Sequence, residues 1–255
     1  MRASRIIMLS WIVAAMVMTM NSARADEIRL IASAGVRELL QDLIPQFERS
    51  RGHTVRPQWG GNADILKRIT GGEGFDLVIM AAENIDKLIA AGKVSGRRTD
   101  VAKSGVGVAV REGLPKPDIS SAEAVRQAVL AAKSVAYSSG PSGIYIAELF
   151  KRMGLADQIK DKVKQTPSGV QVGDVMARGE ADLGFQQVSE LIHVKGTTYV
   201  GPLPPEIQLM TTFSAGRAAA ESNAASQALV EFLTTPNAAE AIRKAGMEPA
   251  KSPRS

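Results

Sequence analysis

Short apolar runs alternating with amphipathic stretches constrain this chain more than any other feature. Residues 28–33 (Ile-Arg-Leu-Ile-Ala-Ser) predict a strand, and Val36, Leu39, Leu40, Leu43, Ile44 and Phe47 then recur at helical spacing. The turn Arg51-Gly52-His53 leads to a second strand over 54–59, the tight loop Gly60-Gly61-Asn62 and a helix over 63–69. Residues 75–80 are almost continuously apolar, as in a strand covered on both faces. Asn84 is positioned to cap a helix carrying Ile85, Leu88 and Ile89, which Gly92 ends. Parallel neighbours need a crossover that is usually a helix, so the alternation predicts an α/β chain of mostly parallel sheets flanked by helices.

A further strand over 105–110 meets Gly113-Leu114-Pro115-Lys116-Pro117, which breaks the pattern. A second series follows: helix 121–132, strand 133–138, the loop 140–143, helix 144–153, helix 169–178, strand 181–186 and helix 187–193. Gly201-Pro202-Leu203-Pro204-Pro205 then precedes a strand over 207–213 and helices over 223–235 and 237–245. Two crossings at these Pro-containing stretches divide the chain into a discontinuous lobe, 26–107 with 206–255, and an inserted lobe, 108–205. Ligands of such sheets sit at the carboxyl ends of the strands, so the loops at 33–37, 60–63 and 80–84 should share one edge.

The first 25 residues read differently. Arg2 and Arg5 precede an apolar run over 6–20, interrupted by Ser10 and Thr19, and Ala23-Arg24-Ala25 has the small-residue pattern of a cleavage site. The run is about 15 residues, short of the roughly 18 that argue for a membrane span. We read 1–25 as a signal peptide cleaved after Ala25, which sends the mature chain to a periplasm. Its removal takes three of the 31 basic residues and none of the 26 acidic ones, leaving a net charge of +2. With no Lys/Arg stripe interleaved with aromatics, a nucleic-acid partner is not expected. The absence of cysteine removes disulfides, thiol nucleophiles, thiolate metal sites and lipid attachment. A soluble monomer without metal or cofactor is the expectation.

Small polar loops at strand-to-helix junctions occur in both lobes: Ser33-Ala34-Gly35, Gly60-Gly61-Asn62 and Ser138-Ser139-Gly140-Pro141-Ser142-Gly143. Glycine allows close backbone approach, and helix N-termini attract negative charge. Two such termini facing across a cleft would hold a small anion. Arg37, on the first turn of its helix, runs against the dipole preference and is a candidate carboxylate or phosphate donor. Gln187, at the end of an apolar strand beside Gln186 and Ser189, is a candidate donor, and Tyr145 has a hydroxyl near the loop of the inserted lobe. The same residues also fit ordinary turns, caps and packing.

Catalytic signatures are weak. His53 and His193 neighbour no serine and aspartate in a triad pattern, and no H-E-x-x-H, calcium loop or Walker sequence occurs. Asp64 and Glu83 lie near the loop edge as candidate bases, with capping the simpler role for Asp64.

The succession Ala-Ser-Ala-Gly after the first strand, Trp-Gly-Gly-Asn-Ala-Asp, Phe-Asp-Leu-Val-Ile-Met-Ala-Ala-Glu and Gly-Glu-Ala-Asp-Leu-Gly-Phe resembles the periplasmic molybdate-binding proteins of ABC importers over almost the whole mature chain. The resemblance implies a two-lobed type II periplasmic binding protein fold that closes on its ligand like a hinge. It further implies capture of a small anion and delivery to an inner-membrane ABC permease. By position it carries ligand binding to Ser33, to Gly61 and Asn62, to Ser142, Gly143 and Tyr145, and to Gln187, and Ala34 and Gly35 join Ser33 as candidates from the loop itself. Asn62 stands at a family serine, Gln187 at a family tyrosine, and Arg37 is foreign to a site that holds its dianion with neutral donors. An arginine suits a larger, carboxylated ligand. Bacterial aconitate isomerase resembles the same fold group and moves a proton across an allylic tricarboxylate, so an isomerase of that type is the alternative, with its catalytic base unassigned.

Overall fold

The computed structural model describes residues 26–220 and 223–250; the proposed signal peptide lies outside them. The chain begins with β1 (Glu27–Ser33), α1 (Arg37–Arg51), β2 (Thr54–Gly60), α2 (Asn62–Thr70), β3 (Leu77–Ala81) and α3 (Ala82–Ala90), and then runs into the long strand β4 (Val94–Arg111). The second half of β4 opens another series: α4 (Ala122–Ala131), β5 (Val135–Tyr137), α5 (Pro141–Arg152), α6 (Ala156–Ile159), β6 (Val163–Gln165), α7 (Val172–Ala177), β7 (Leu183–Gln187), α8 (Val188–Leu191) and β8 (Thr197–Pro202). The chain returns through β9 (Met210–Ala218), α9 (Ala224–Leu233), α10 (Pro236–Lys244) and β10 (Glu248–Pro249).

The strands follow the order β2-β1-β3-β9-β4-β7-β5-β6, with β8 and β10 paired to β4. β1 pairs in parallel with β2 and β3, and β5 with β6 and β7, each through a helical crossover. Every pairing of β4 and β9 is antiparallel, because these strands carry the chain between lobes. The sheets are therefore mixed where the alternation of strands and helices predicts mostly parallel ones. β4 also starts well before the expected 105, since Arg97, Arg98, Asp100 and Lys103 interrupt the apolar pattern over a stretch that nonetheless pairs with β9. β6 and β8 are half-exposed strands without an apolar run to mark them.

Alternation along β1 explains how one sheet covers two cores. Ile28, Leu30 and Ala32 turn toward α1, where Leu39, Leu40, Leu43 and Phe47 line the apolar stripe, and toward Leu229 of α9 and Ile242 of α10. Ile31 faces the other way with Val78, Met80, Ile65, Ile69, Ile85 and Leu88. The lobe around β7 repeats this design, with Val106, Val108, Ile146, Phe150 and Phe185 on one side and Ala109, Ala136, Val172 and Met176 on the other. The buried run at β3 thus reflects a sheet with helices on both faces.

The lobes are tied where β4 changes sheets. Gln208 accepts from the Val106 N–H at 2.7 Å and donates to the Val106 and Leu203 carbonyls at 3.0 and 3.2 Å. One amide thereby braces the backbone at the passage from one sheet to the other, beside the bond from the Leu203 N–H to the Val106 carbonyl at 2.9 Å.

Candidate functional site

The carboxyl ends of β1, β2 and β3 and those of β5 and β7 face each other across a cleft of about 260 Å³, at the small end of ligand sites. In the first lobe, Ser33 ends β1 and caps the 3-10 turn Ala34–Val36, its Oγ accepting from the Gly35 N–H at 3.3 Å. Asn62, the first residue of α2, donates to the same Oγ at 3.3 Å and accepts from the Ala81 N–H at 3.0 Å. Its amide therefore fixes the ends of β1 and β3 relative to each other. Glu83 and Lys87 of α3 lie exposed at the rim, and Asn84, buried inside α3 instead of capping it, also lines the cleft.

The facing wall begins with Ser138, whose Oγ meets the Ser142 Oγ at 3.3 Å and accepts from the Gly140 N–H at 3.3 Å. Pro141 starts α5, preceded by Gly140, which offers no side-chain cap, and the first turn carries no acid. The leading N–H groups of α5 are left to face the cleft, a favourable place for negative charge. A pattern runs through the fold. Helices α4, α9 and α10, away from the cleft, are capped by Ser121, Asn223 and Thr235, whereas α2, α3, α5, α7 and α8, which start at its edge, have no cap from the preceding side chain; the four-residue α6, away from the cleft, is the uncapped exception.

The cleft is closed. A Cβ on Gly61 would lie 2.0 Å from the Ser168 Oγ and 3.0 Å from the Gly169 N–H nitrogen, so the loop ahead of α7 rests on bare backbone of the opposite lobe. That loop displaces the expected start of the helix from 169 to Val172, with Gly169 at φ 79°. Ser189 donates to the Gly35 carbonyl at 2.8 Å, a hydrogen bond between the lobes. At the base, Phe213 lies so near Gly35 that a Cβ there would stand 2.5 Å from the ring.

Gln171, Gln186 and Glu190 complete the wall. Gln186 accepts from the Val172 N–H at 2.8 Å and donates to the Gln171 Oε1 at 2.7 Å. Burial pushes the Glu190 carboxyl up to about 7, outweighing hydrogen bonds from Gln171 and Gln186, the positive charge of Arg37 and the Gln187 N–H, all of which favour the ionised form. This carboxyl is absent from the residues that the sequence singles out. Its one signal is position, an acid in the first turn of a helix that starts at the cleft edge.

Ser33, Ala34, Gly35, Gly61, Asn62, Ser142 and Gln187 line the cleft, as does Glu83; Asp64, Arg37, Gly143 and Tyr145 are not among the lining residues. The Arg37 guanidinium lies 5.4 Å from the centre of the Trp59 ring, and its buried Nε has no hydrogen-bond partner. Gly143 is needed for packing, since a Cβ there would fall 1.5 Å from the Ser138 carbonyl oxygen. Tyr145 donates its hydroxyl to the Ile207 carbonyl at 2.7 Å. Gln187 turns toward the passage between sheets. With its amide oriented to satisfy both ends, it donates to the Ser104 and Gly105 carbonyls at 2.9 and 3.2 Å and accepts from the Thr211 hydroxyl at 2.8 Å. Among the described residues no group of acids and histidines is arranged to hold a metal ion, and no helix is long and apolar enough to cross a membrane.

Comparison with known proteins matches residues 28–248 to the family described as bacterial extracellular solute-binding protein. An aconitate isomerase of Pseudomonas sp. is 36% identical over 230 residues, covering 87% of each chain. The molybdate-binding protein ModA of Escherichia coli is 25% identical over 236 residues, 89% of this chain and 91% of that one. Among solved structures, the periplasmic molybdate-binding protein of Azotobacter vinelandii superposes with a TM-score of 0.75 at 20% identity, over 89% of this chain and all of the other. This last likeness speaks for the two-lobed fold.

Proposed function

The chain belongs to the bacterial extracellular solute-binding protein family, and we propose that its cleft takes up a small polycarboxylate and isomerises it by moving a proton between two carbons, as an aconitate isomerase does. The observation that carries this reading is the carboxyl of Glu190 in the inner wall of a cleft that also presents anion donors. In its ionised form an acid in the wall opposes capture of a dianion, because like charges repel at short range. A site that removes a proton from carbon needs one, poised near the working pH. The open N–H groups of α5, the Ser33 turn and Lys87 are the donors for the substrate carboxylates. Similarity to the Pseudomonas isomerase, over nearly the whole chain, supports the same reading.

Incubation with cis-aconitate, followed by proton NMR, is expected to show the trans isomer accumulating toward a fixed ratio. An unchanged spectrum at high protein concentration would sink the isomerase reading.

The neutral donors on both lobes favour a second reading, capture of a small oxyanion for an ABC permease in the inner membrane, in line with the molybdate-binding relatives. Thermal melting with molybdate, tungstate, sulfate, citrate and aconitate separates the two. A ligand at about 100 times its dissociation constant stabilises by about 2.7 kcal/mol. A shift with molybdate or tungstate alone would favour capture, and a shift with the tricarboxylates, isomerisation. In both readings the protein works outside the cytoplasm, released from its signal peptide after Ala25.

A further inference from the structure

We propose that Glu190 is the catalytic residue that takes the proton from the substrate carbon and gives one back at the far end of the allylic unit, with Gln171 and Gln186 as the residues that position it. This rests on the isomerase reading, and it selects one of the two acids that line the cleft. Glu83 is exposed at the rim on α3, where water competes for any proton it takes up. Glu190 is largely withdrawn from solvent on the opposite lobe, at the start of α8.

Its surroundings fix the carboxyl in a defined pose. Gln187 is the N-cap of α8 and Glu190 its third helical residue, the position of the acid in a capping box, where the Gln187 N–H favours the ionised form. Gln186 is locked by the Val172 N–H and holds Gln171, and both amides lie beside the carboxyl in the cleft wall, where they favour its ionised form. The charged groups that face it belong to the other lobe: Arg37 of α1, whose positive charge favours the ionised form, and Glu83 and Lys87 of α3 across the cleft. A glutamate that served only as a cap would be well hydrated and acidic. This one titrates near neutrality because burial dominates, which matches its proton affinity to a general base at neutral pH.

The step balances without a cofactor. The ionised carboxyl accepts the proton as the C–H bond breaks, and that electron pair forms the new carbon–carbon double bond. The pair of the old double bond moves to the remote allylic carbon, where it is stabilised through an attached carboxylate. The Glu190 O–H bond then breaks as that carbon is protonated, which restores the ionised base. Donors at the Ser33 turn and the α5 N-terminus face the carboxylates on which negative charge grows.

The test is Glu190→Gln, which keeps the shape and removes the titration. Turnover of cis-aconitate is expected to fall by at least about a hundredfold, the usual range for loss of a general base, while the thermal shift given by cis-aconitate is retained. In the wild type, kcat/KM should rise with pH through about 7 as the carboxyl ionises. NMR of ¹³C-labelled glutamate side chains should show one carboxyl titrating there, and it should be missing from the variant. If wild type isomerises cis-aconitate and Glu190→Gln does so within about threefold, the assignment is overturned and the isomerase reading stands. If wild type gives no isomerisation, both fall. Loss of turnover together with loss of the thermal shift would make Glu190 a binding group and also overturn the proposal.

Discussion

Glu190 shows how one residue can serve the fold poorly and the site well. Its carboxyl titrates near 7 in the folded chain against an ordinary value of 4.5, so folding takes up a proton between those values. The contribution to stability is neutral below about 4.5, declines as pH rises, and becomes fully unfavourable above about 7. Glu190→Gln should therefore melt above the wild type near pH 8 by the equivalent of up to about 3 kcal/mol, and the two should converge near pH 4, read by calorimetry across pH. A constant difference at every pH would show that the carboxyl is not buried as described. Arg37 carries a different lesson. Its place on the first helical turn marks it as unusual in the sequence, but only folding brings the guanidinium over Trp59 instead of into the cleft. Gly143 and Tyr145 are similar cases, since a residue beside a ligand loop can equally support that loop or the hinge behind it.

At the scale of elements, the helix starts mark the site. Ser121, Asn223 and Thr235 cap helices that have no ligand to satisfy their leading N–H groups, whereas Gly61 and Gly140 leave theirs open at the cleft. Gly61 also receives the loop bearing Ser168 and Gly169 from the other lobe. Its φ of −75° suits alanine, so Gly61→Ala tests the contact between lobes without backbone strain. Ligand affinity should drop about tenfold, equivalent to about 1.4 kcal/mol, with little change in melting temperature of the free protein. Adding Ser168→Gly should recover most of the loss by removing the obstructing hydroxyl. Titration calorimetry with cis-aconitate and with molybdate measures both effects, and an unaltered affinity in Gly61→Ala would mean that binding does not need this closure.

The described molecule is two sheets joined by the long β4, which pairs in both, while β9 returns the chain to the first, with Gln208 and Gln187 holding the passage between them. Bonds between lobes, such as Ser189 to the Gly35 carbonyl, are few compared with those inside each lobe, which favours rigid-body opening about the shared strands. Small-angle scattering should show a radius of gyration that falls on adding the ligand that stabilises the protein, with the forward intensity of a single chain throughout. An unchanged radius would leave opening without a role in uptake, and a doubled intensity would replace the expected monomer by a dimer.

The alternation of apolar runs and amphipathic helices, with small polar loops between them, determined by itself the α/β class and the edge on which Ser33, Gly61, Asn62 and Ser142 gather. Strand and helix periods are local, and the loops that end parallel strands meet wherever such a sheet forms. The antiparallel course of β4 and β9, the closure of Gly61 on Ser168 and the setting of Glu190 were decided only by tertiary structure. Each depends on segments far apart in the chain. Ile31 and Val78 reach one core because a strand alternates, but an acid in a helical first turn becomes a base near neutrality only when Gln171, Gln186 and the opposite lobe remove water from it.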